Sequence, residues 1–150
     1  MLGLPQMKLG WIALSGPDKE CEEAAQRLEM LADAFLSVNG PAQHTLPVWL
    51  ERREAFVSEV LERVKGNFEE LRRFFPAVNQ PDGGWYAVID LPEGISDEAF
   101  ALELLEKYDA LVHPGYFFDF KNDCVVISLI PEPGSFLEGI WALQRGGCRA

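Results

Sequence analysis

The sequence has almost nothing with which to build a metal centre or a disulfide framework. Its three cysteines, Cys21, Cys124 and Cys148, are an odd, widely separated set without a C-x-x-C pair. Such a set fits reduced thiols in a cytosolic protein better than cross-links. The two histidines, His44 and His113, lie far apart and have no Cys, Asp or Glu at ligand spacing, so no metal site is expected. Cations are scarce as well: 13 Lys and Arg stand against 24 Asp and Glu, a net charge of −11. That balance argues against nucleic-acid binding, which needs clustered Lys and Arg. No apolar run approaches a membrane span, and the start lacks the basic and apolar regions of a signal peptide. The expectation is a cytoplasmic protein with neither nucleic-acid nor membrane partners. There is no G-x-S-x-G, no Walker loop and no G-x-G-x-x-G, so nothing supports a Ser- or Cys-nucleophile hydrolase or a phosphate-cradling loop.

What is present is the material for a core. Of 150 residues, 48% are apolar and 11% aromatic, enough to bury an interior without disulfides and too apolar for disorder. Leu9 to Leu14 reads as a short buried strand closed by Ser15-Gly16-Pro17. Pro17 can open a helix whose first turns carry Asp18, Glu20, Glu22 and Glu23, where the helix dipole favours anions. Leu28, Leu31, Ala32 and Phe35 then make an apolar stripe, and Ser37 to Pro41 stops it. A second helical stretch starts near Pro41, with a kink or boundary expected at Pro47. From Val48 to Phe75 the pattern is long and amphipathic, with Val57, Val60, Leu61, Val64, Phe68 and Leu71 on one face. Glu59 and Arg63 form an i, i+4 pair on the other.

Beyond Pro76 the period changes. Pro81-Asp82-Gly83-Gly84 is a turn, and Trp85 to Leu91 is rich in strand formers. Ser96 can cap a helix to about Tyr108. Ala110 to His113 predicts a short strand stopped by Pro114-Gly115, and Cys124 to Ile130 a stronger one. Pro133-Gly134-Ser135 introduces a last helix with Phe136, Ile140 and Leu143 on one side and Gly146-Gly147 at its end. The class is α+β: long helices packed against a small mixed or antiparallel sheet. The segments are 1–16, 17–75 and 76–150, expected as one compact unit.

Few residues invite a chemical role by themselves. Lys8 is either a solvated lysine before a strand or a point charge for an anion. Pro114-Gly115 is either an ordinary tight turn or a place where backbone passes close to something, since Gly has no Cβ. Tyr116, Phe117, Phe118 and Phe120 can wall a pocket or fill the core. His113, beside the turn, can touch a ligand or serve as a hydrogen-bonded structural group.

Gly3-Leu4-Pro5-Gln6-Met7-Lys8-Leu9-Gly10-Trp11 resembles the run after the cofactor lysine in fold-type I, pyridoxal-phosphate-dependent aminotransferases of class I/II, S-x-x-K-x-x-G-L-P-G-x-R-x-G-[WY]. Three further stretches are similar to family segments, in family order. Ser37 to Gln43 looks like the segment between two helices near the dimer interface. Gly83-Gly84-Trp85-Tyr86 looks like the strand entry into the small domain. Val112 to Phe118 looks like the V-x-P-G-x-x-F turn that approaches the substrate.

The resemblance implies the C-terminal part of an aminotransferase, with residues 1–16 as a remnant strand of the large domain and 17–75 as connecting helices. Residues 76–150 would then be the small domain. The Schiff-base lysine falls one position before Met1, so no catalytic residue is matched. Lys8 takes the place of the Arg that binds the cofactor phosphate, and Asn39, Pro114, Gly115 and Tyr116 become substrate-pocket candidates. The intact enzyme would use pyridoxal phosphate for amino-group transfer; this chain alone is expected to be inactive and to hold no cofactor stably. Partners implied are a second copy in a homodimer or a large domain supplied in trans. The other expectation is a stand-alone homodimeric or partner-binding module. One departure stands out: the family's [IV]-R-[LI]-S reads Val125-Val126-Ile127-Ser128, so Val126 replaces the Arg that binds the substrate carboxylate.

Overall fold

Five helices and a three-stranded sheet make up the computed structural model, which describes residues 4–35 and 38–148. Gly3 and Ser37, the first residues of two of the motifs above, lie outside the described residues. The chain divides into two compact units, residues 1–57 and 58–150, with the division inside a long helix.

In the first unit, a 3-10 turn at Pro5–Met7 precedes α1, Asp18–Phe35, and α2, Gly40–Glu51; α3, Arg53–Phe74, begins there. Pro17 opens α1 as expected, its carbonyl accepting from the amides of Glu20 and Cys21 at 3.0 Å. The Leu9–Leu14 strand is not formed. These residues make no strand pairing, and Trp11 and Ile12 are 70% and 69% exposed. A strand is stable only when its amides and carbonyls have a partner, and the described residues of this unit offer none. The α1 stripe meets a similar outcome: no residue of α1 is buried, and Phe35 is 80% exposed.

Pro47 does not end its helix. α2 continues to Glu51, and the break comes at Arg52, which leaves helical geometry with φ −94° and ψ 3°. The proline removes a single amide donor, and the remaining ladder carries the helix past it.

The second unit contains the core. β1, Tyr86–Asp90, pairs antiparallel with β3, Cys124–Ser128, and β2, His113–Pro114, pairs antiparallel with the other edge of β3. Single bonds prolong the β1–β3 ladder at both ends, from Leu129 N to Trp85 O at 2.7 Å and from Leu91 N to Asp123 O at 3.0 Å. As the central strand, β3 is buried from Cys124 to Ile127, which explains its unbroken apolar run. One sheet face, with Ala87, Ile89, Val125 and Ile127, packs on Phe68, Leu71, Phe100, Leu104, Phe136, Ile140 and Leu143 from α3 and two later helices. These are α4, Asp97–Tyr108, and α5, Pro133–Arg145.

Two polar contacts tie α3 to the chain after β3. Asn67, 3% exposed, donates from Nδ2 to Leu129 O at 2.9 Å and Pro131 O at 2.8 Å. Arg63 reaches both the expected Glu59, at 3.2 Å, and Glu132, at 3.0 Å; being exposed at the carboxylates, these pairs contribute little.

Helix α5 ends against side chains of α4. A Cβ on Gly146 would lie 2.9 Å from Phe100 Cε2 and 3.1 Å from Leu104 Cδ2. Gly146→Ala is therefore expected to lower stability by about 1 kcal/mol, the low end for overpacking, because an aromatic ring edge can yield slightly. A chemical-denaturation midpoint unchanged from the parent would contradict it.

Candidate functional site

The β2–β3 register brings together the candidates that are distant in sequence. His113 lies opposite Val126 and Pro114 opposite Val125, so the Pro-Gly turn leaves the sheet beside the middle of β3. A 3-10 turn, Gly115–Phe118, follows at once. Pro114 and Gly115 are buried, whereas Tyr116 is 48% exposed. Gly115 has the close approach its lack of a side chain allows: a Cβ there would collide with Cys124 Sγ and sit 3.1 Å from Cys124 O.

An acid at the start of α4 holds this turn. The carboxylate of Asp97, only 8% exposed, accepts from the amide of Tyr116 at 3.2 Å and from its neighbour Glu98 at 2.8 Å. The Asp97 amide in turn donates to Asp123 Oδ1 at 3.2 Å. Ser96 occupies the N-cap position but makes no side-chain cap bond, so Asp97 and Asp123 satisfy the helix start in its place. By its position Asp97 is a first-turn acid of α4. Its role across a 19-residue separation had no local signal.

On the sheet face away from the core, alternation sets Tyr86, Val88 and Asp90 of β1 beside Cys124, Val126 and Ser128 of β3, with His113 of β2 next to Val126. Val126 is 4% exposed and forms the middle of this face. Aromatic rings rim it in a continuous arc. Phe118 lies 6.3 Å from Tyr86 and 6.1 Å from His113; Phe117 lies 6.1 Å from His113 and 4.8 Å, edge-on, from Tyr116. These rings wall a surface and do not fill the core: Phe117 is 60% exposed and Phe118 46%.

The electrostatics of this side are anionic. The Tyr116 hydroxyl donates to Glu98 at 3.4 Å. Its pKa is raised, by desolvation first and then by the charge and hydrogen bond of Glu98 and the charge of Asp97. Burial likewise raises the Cys124 thiol, with Asp90, Asp97 and Asp123 adding to it.

Lys8 and Asn39 belong to the first unit. Lys8 is exposed, in a left-handed conformation at φ 52° after the Pro5–Met7 turn. Asn39 has a local task as N-cap of α2, its side-chain oxygen accepting from the Ala42 amide at 2.9 Å. Two clefts belong to the second unit. One, of about 350 Å³, runs between residues 108–112, the end of β3 and α5; the other, of about 110 Å³, lies between β1 and Phe75–Asn79 beside Cys148. Neither is lined by Lys8, Asn39, Pro114, Gly115 or Tyr116. A phosphate-bearing cofactor needs several convergent donors. Lys8 by itself offers one exposed ammonium toward such a site. Among the described residues, no group of three His, Cys, Asp or Glu could hold a metal ion, and no helix is long and apolar enough to cross a membrane.

No protein-family model and no curated protein matches this chain. Solved structures do. A provisionally assigned aminotransferase from Silicibacter pomeroyi superposes with a TM-score of 0.70 and 23% identity, over 86% of this chain and 36% of that one. A PLP-bound, provisionally assigned aminotransferase from Clostridium difficile 630, crystallised with magnesium formate, gives a TM-score of 0.66 and 16% identity, over 87% of this chain and 35% of that one. The chain thus has the α+β small-domain fold of these proteins and spans about one third of their length.

Proposed function

We propose that this chain acts as the C-terminal part of a pyridoxal-phosphate-dependent aminotransferase and supplies the surface that faces the substrate. The observation that carries this reading is the likeness to part of two aminotransferase-assigned chains, one of them PLP-bound. The ordered motifs from Gly3 to Phe118 agree with it. In the assembled enzyme the cofactor supplies the electron sink for amino-group transfer. This chain's part is to present the Pro114-Gly115-Tyr116 turn, held by Asp97, and to contribute Lys8 as one charge for the cofactor phosphate. In the motif alignment none of its lysines takes the Schiff-base place, so amino-group transfer is not expected of it alone. Incubated with pyridoxal phosphate, an amino acid and a 2-oxo acid, the pure chain is expected to keep no cofactor on desalting and to transfer no amino group. Turnover by the pure chain would overturn its assignment as an incomplete part.

The exposed apolar residues of the first unit support a second reading, a stand-alone module that associates through them. Met30, Leu31 and Phe35 of α1 are 73%, 54% and 80% exposed, a surface of the kind that marks an interface. Light scattering tests it: a concentration-independent monomer counts against the module.

A further inference from the structure

The cleft of about 350 Å³ beside α5 opens where the sheet comes apart. β2 meets β3 at two positions, His113–Val126 and Pro114–Val125. Leu111 and Ser128 would be the next hydrogen-bonded pair in that register, yet no backbone bond joins them. The bond from Leu129 N to Trp85 O turns the Leu129 backbone toward β1. By the alternation of an antiparallel ladder, the N–H and C=O of Ser128 then face the opposite edge, where the cleft lies. Neither group has a backbone partner among the described residues.

Val112, Ile127, Phe136 and Ile140 supply the apolar lining. The charged lining residues are Asp109 and Glu138, and no Lys or Arg lines the cleft. Lys107, before it in the chain, is held by Glu103 at 2.8 Å. Arg145 stands in the last turn of α5, roughly 10 Å along the axis from Glu138. Gly139 lines the cleft from within α5, and a Cβ there would meet nothing within 4 Å. Glycine inside a helix is destabilising, and no close contact requires this one; its effect is to keep the cleft open.

We infer that this cleft takes an extended segment of a partner protein, an apolar residue flanked by basic ones, paired with the free edge of β3 at Ser128. The backbone of the segment supplies the acceptor and donor that Ser128 lacks, which is how an added strand gains affinity. Its apolar side chain enters the lining, and flanking Lys or Arg side chains meet Asp109 and Glu138. The volume lies near the lower end of the roughly 300–1,000 Å³ of ligand clefts, so one residue is enclosed and its neighbours are not. None of Pro114, Gly115 and Tyr116 lines this cleft, and the inference does not depend on the aminotransferase reading.

The test titrates the whole chain with the blocked peptide acetyl-Lys-Leu-Lys-amide, followed by NMR. The amide of Ser128 and the methyl groups of Val112, Ile127 and Ile140 are expected to shift together. Methylating the leucine nitrogen of the peptide removes its donor and keeps its charge. That peptide should bind about two- to ten-fold more weakly, the range for one net hydrogen bond. Acetyl-Glu-Leu-Glu-amide should bind about five-fold more weakly or worse at low salt. Gly139→Leu should abolish the shifts while the melting temperature stays at or above the parent's, since leucine favours the helix and fills the cleft. Equal binding of the methylated and parent peptides overturns the pairing at Ser128, whatever Gly139→Leu does to the fold. No response at these four residues, or equal binding of the glutamate peptide, overturns the partner class.

Discussion

Gly115→Ala is expected to destabilise the second unit by about 1–3 kcal/mol, the range for forcing a methyl group into a closed contact. The new Cβ would collide with Cys124 Sγ and lie 3.1 Å from Cys124 O and 3.3 Å from Phe120 Cβ. The residue that would have to give way cannot do so easily. Cys124 is 0% exposed and sits in the central strand, paired with Asp90. Replacing glycine also restricts the unfolded chain, which favours the variant by roughly 0.4–1 kcal/mol at compatible positions. Overpacking is the larger of the two, so the net sign is a loss. The double variant Gly115→Ala with Cys124→Ala should recover part of it, because Sγ is gone while the Cys124 carbonyl remains. Denaturant midpoints for the four members of this cycle would measure the coupling. Additive effects of the two substitutions would refute the contact as the cause.

Asn67→Leu is expected to cost a similar amount for a different reason. Asn67 fills both hydrogen-bonding positions of its Nδ2 with the carbonyls of Leu129 and Pro131, 62 and 64 residues away. Leucine keeps the branched shape and removes the donors, leaving the buried Leu129 carbonyl without this partner. An unsatisfied buried polar group costs about 1–3 kcal/mol. Leucine's greater apolar burial offsets some of that, since each methylene taken from water is worth about 0.8 kcal/mol. Asn67→Asp should be worse at neutral pH, because a carboxylate would face two carbonyl oxygens with nothing to donate. Thermal melts should therefore rank the parent above Asn67→Leu, and Asn67→Asp last. An aspartate variant as stable as the parent would show that these two bonds are not what joins α3 to the chain after β3.

Local chemistry made most of the second unit readable. Pro133 at the first turn of α5 and Gly146 beyond its last, with Phe136, Ile140 and Leu143 at helical spacing, announce a helix and its buried face. β3 is legible because a central strand needs apolar residues on both faces. The first unit was less legible, because periodicity identifies an apolar face but not what will cover it. Leu9 to Leu14 has a strand's composition, yet the described residues of its unit hold no strand to pair with, so it forms none. Leu31 and Phe35 have a buried stripe's spacing and remain exposed.

For the candidate site, the sequence by itself determined the motifs. Pro114-Gly115-Tyr116 was visible as a turn, Val126 as the residue in place of an expected arginine, and Asn39 as a residue before a helix. Tertiary structure alone decided that the first two meet, because only antiparallel pairing sets His113 opposite Val126. It also decided that Asp97 holds the turn, that Gly115 is small on account of Cys124, and that the aromatic run lines a surface. Each of these depends on atoms close in space and separated along the chain, and propensity and periodicity carry no information about such pairs. Composition settled that the chain would fold with an apolar interior; strand register settled which of its side chains a ligand could reach.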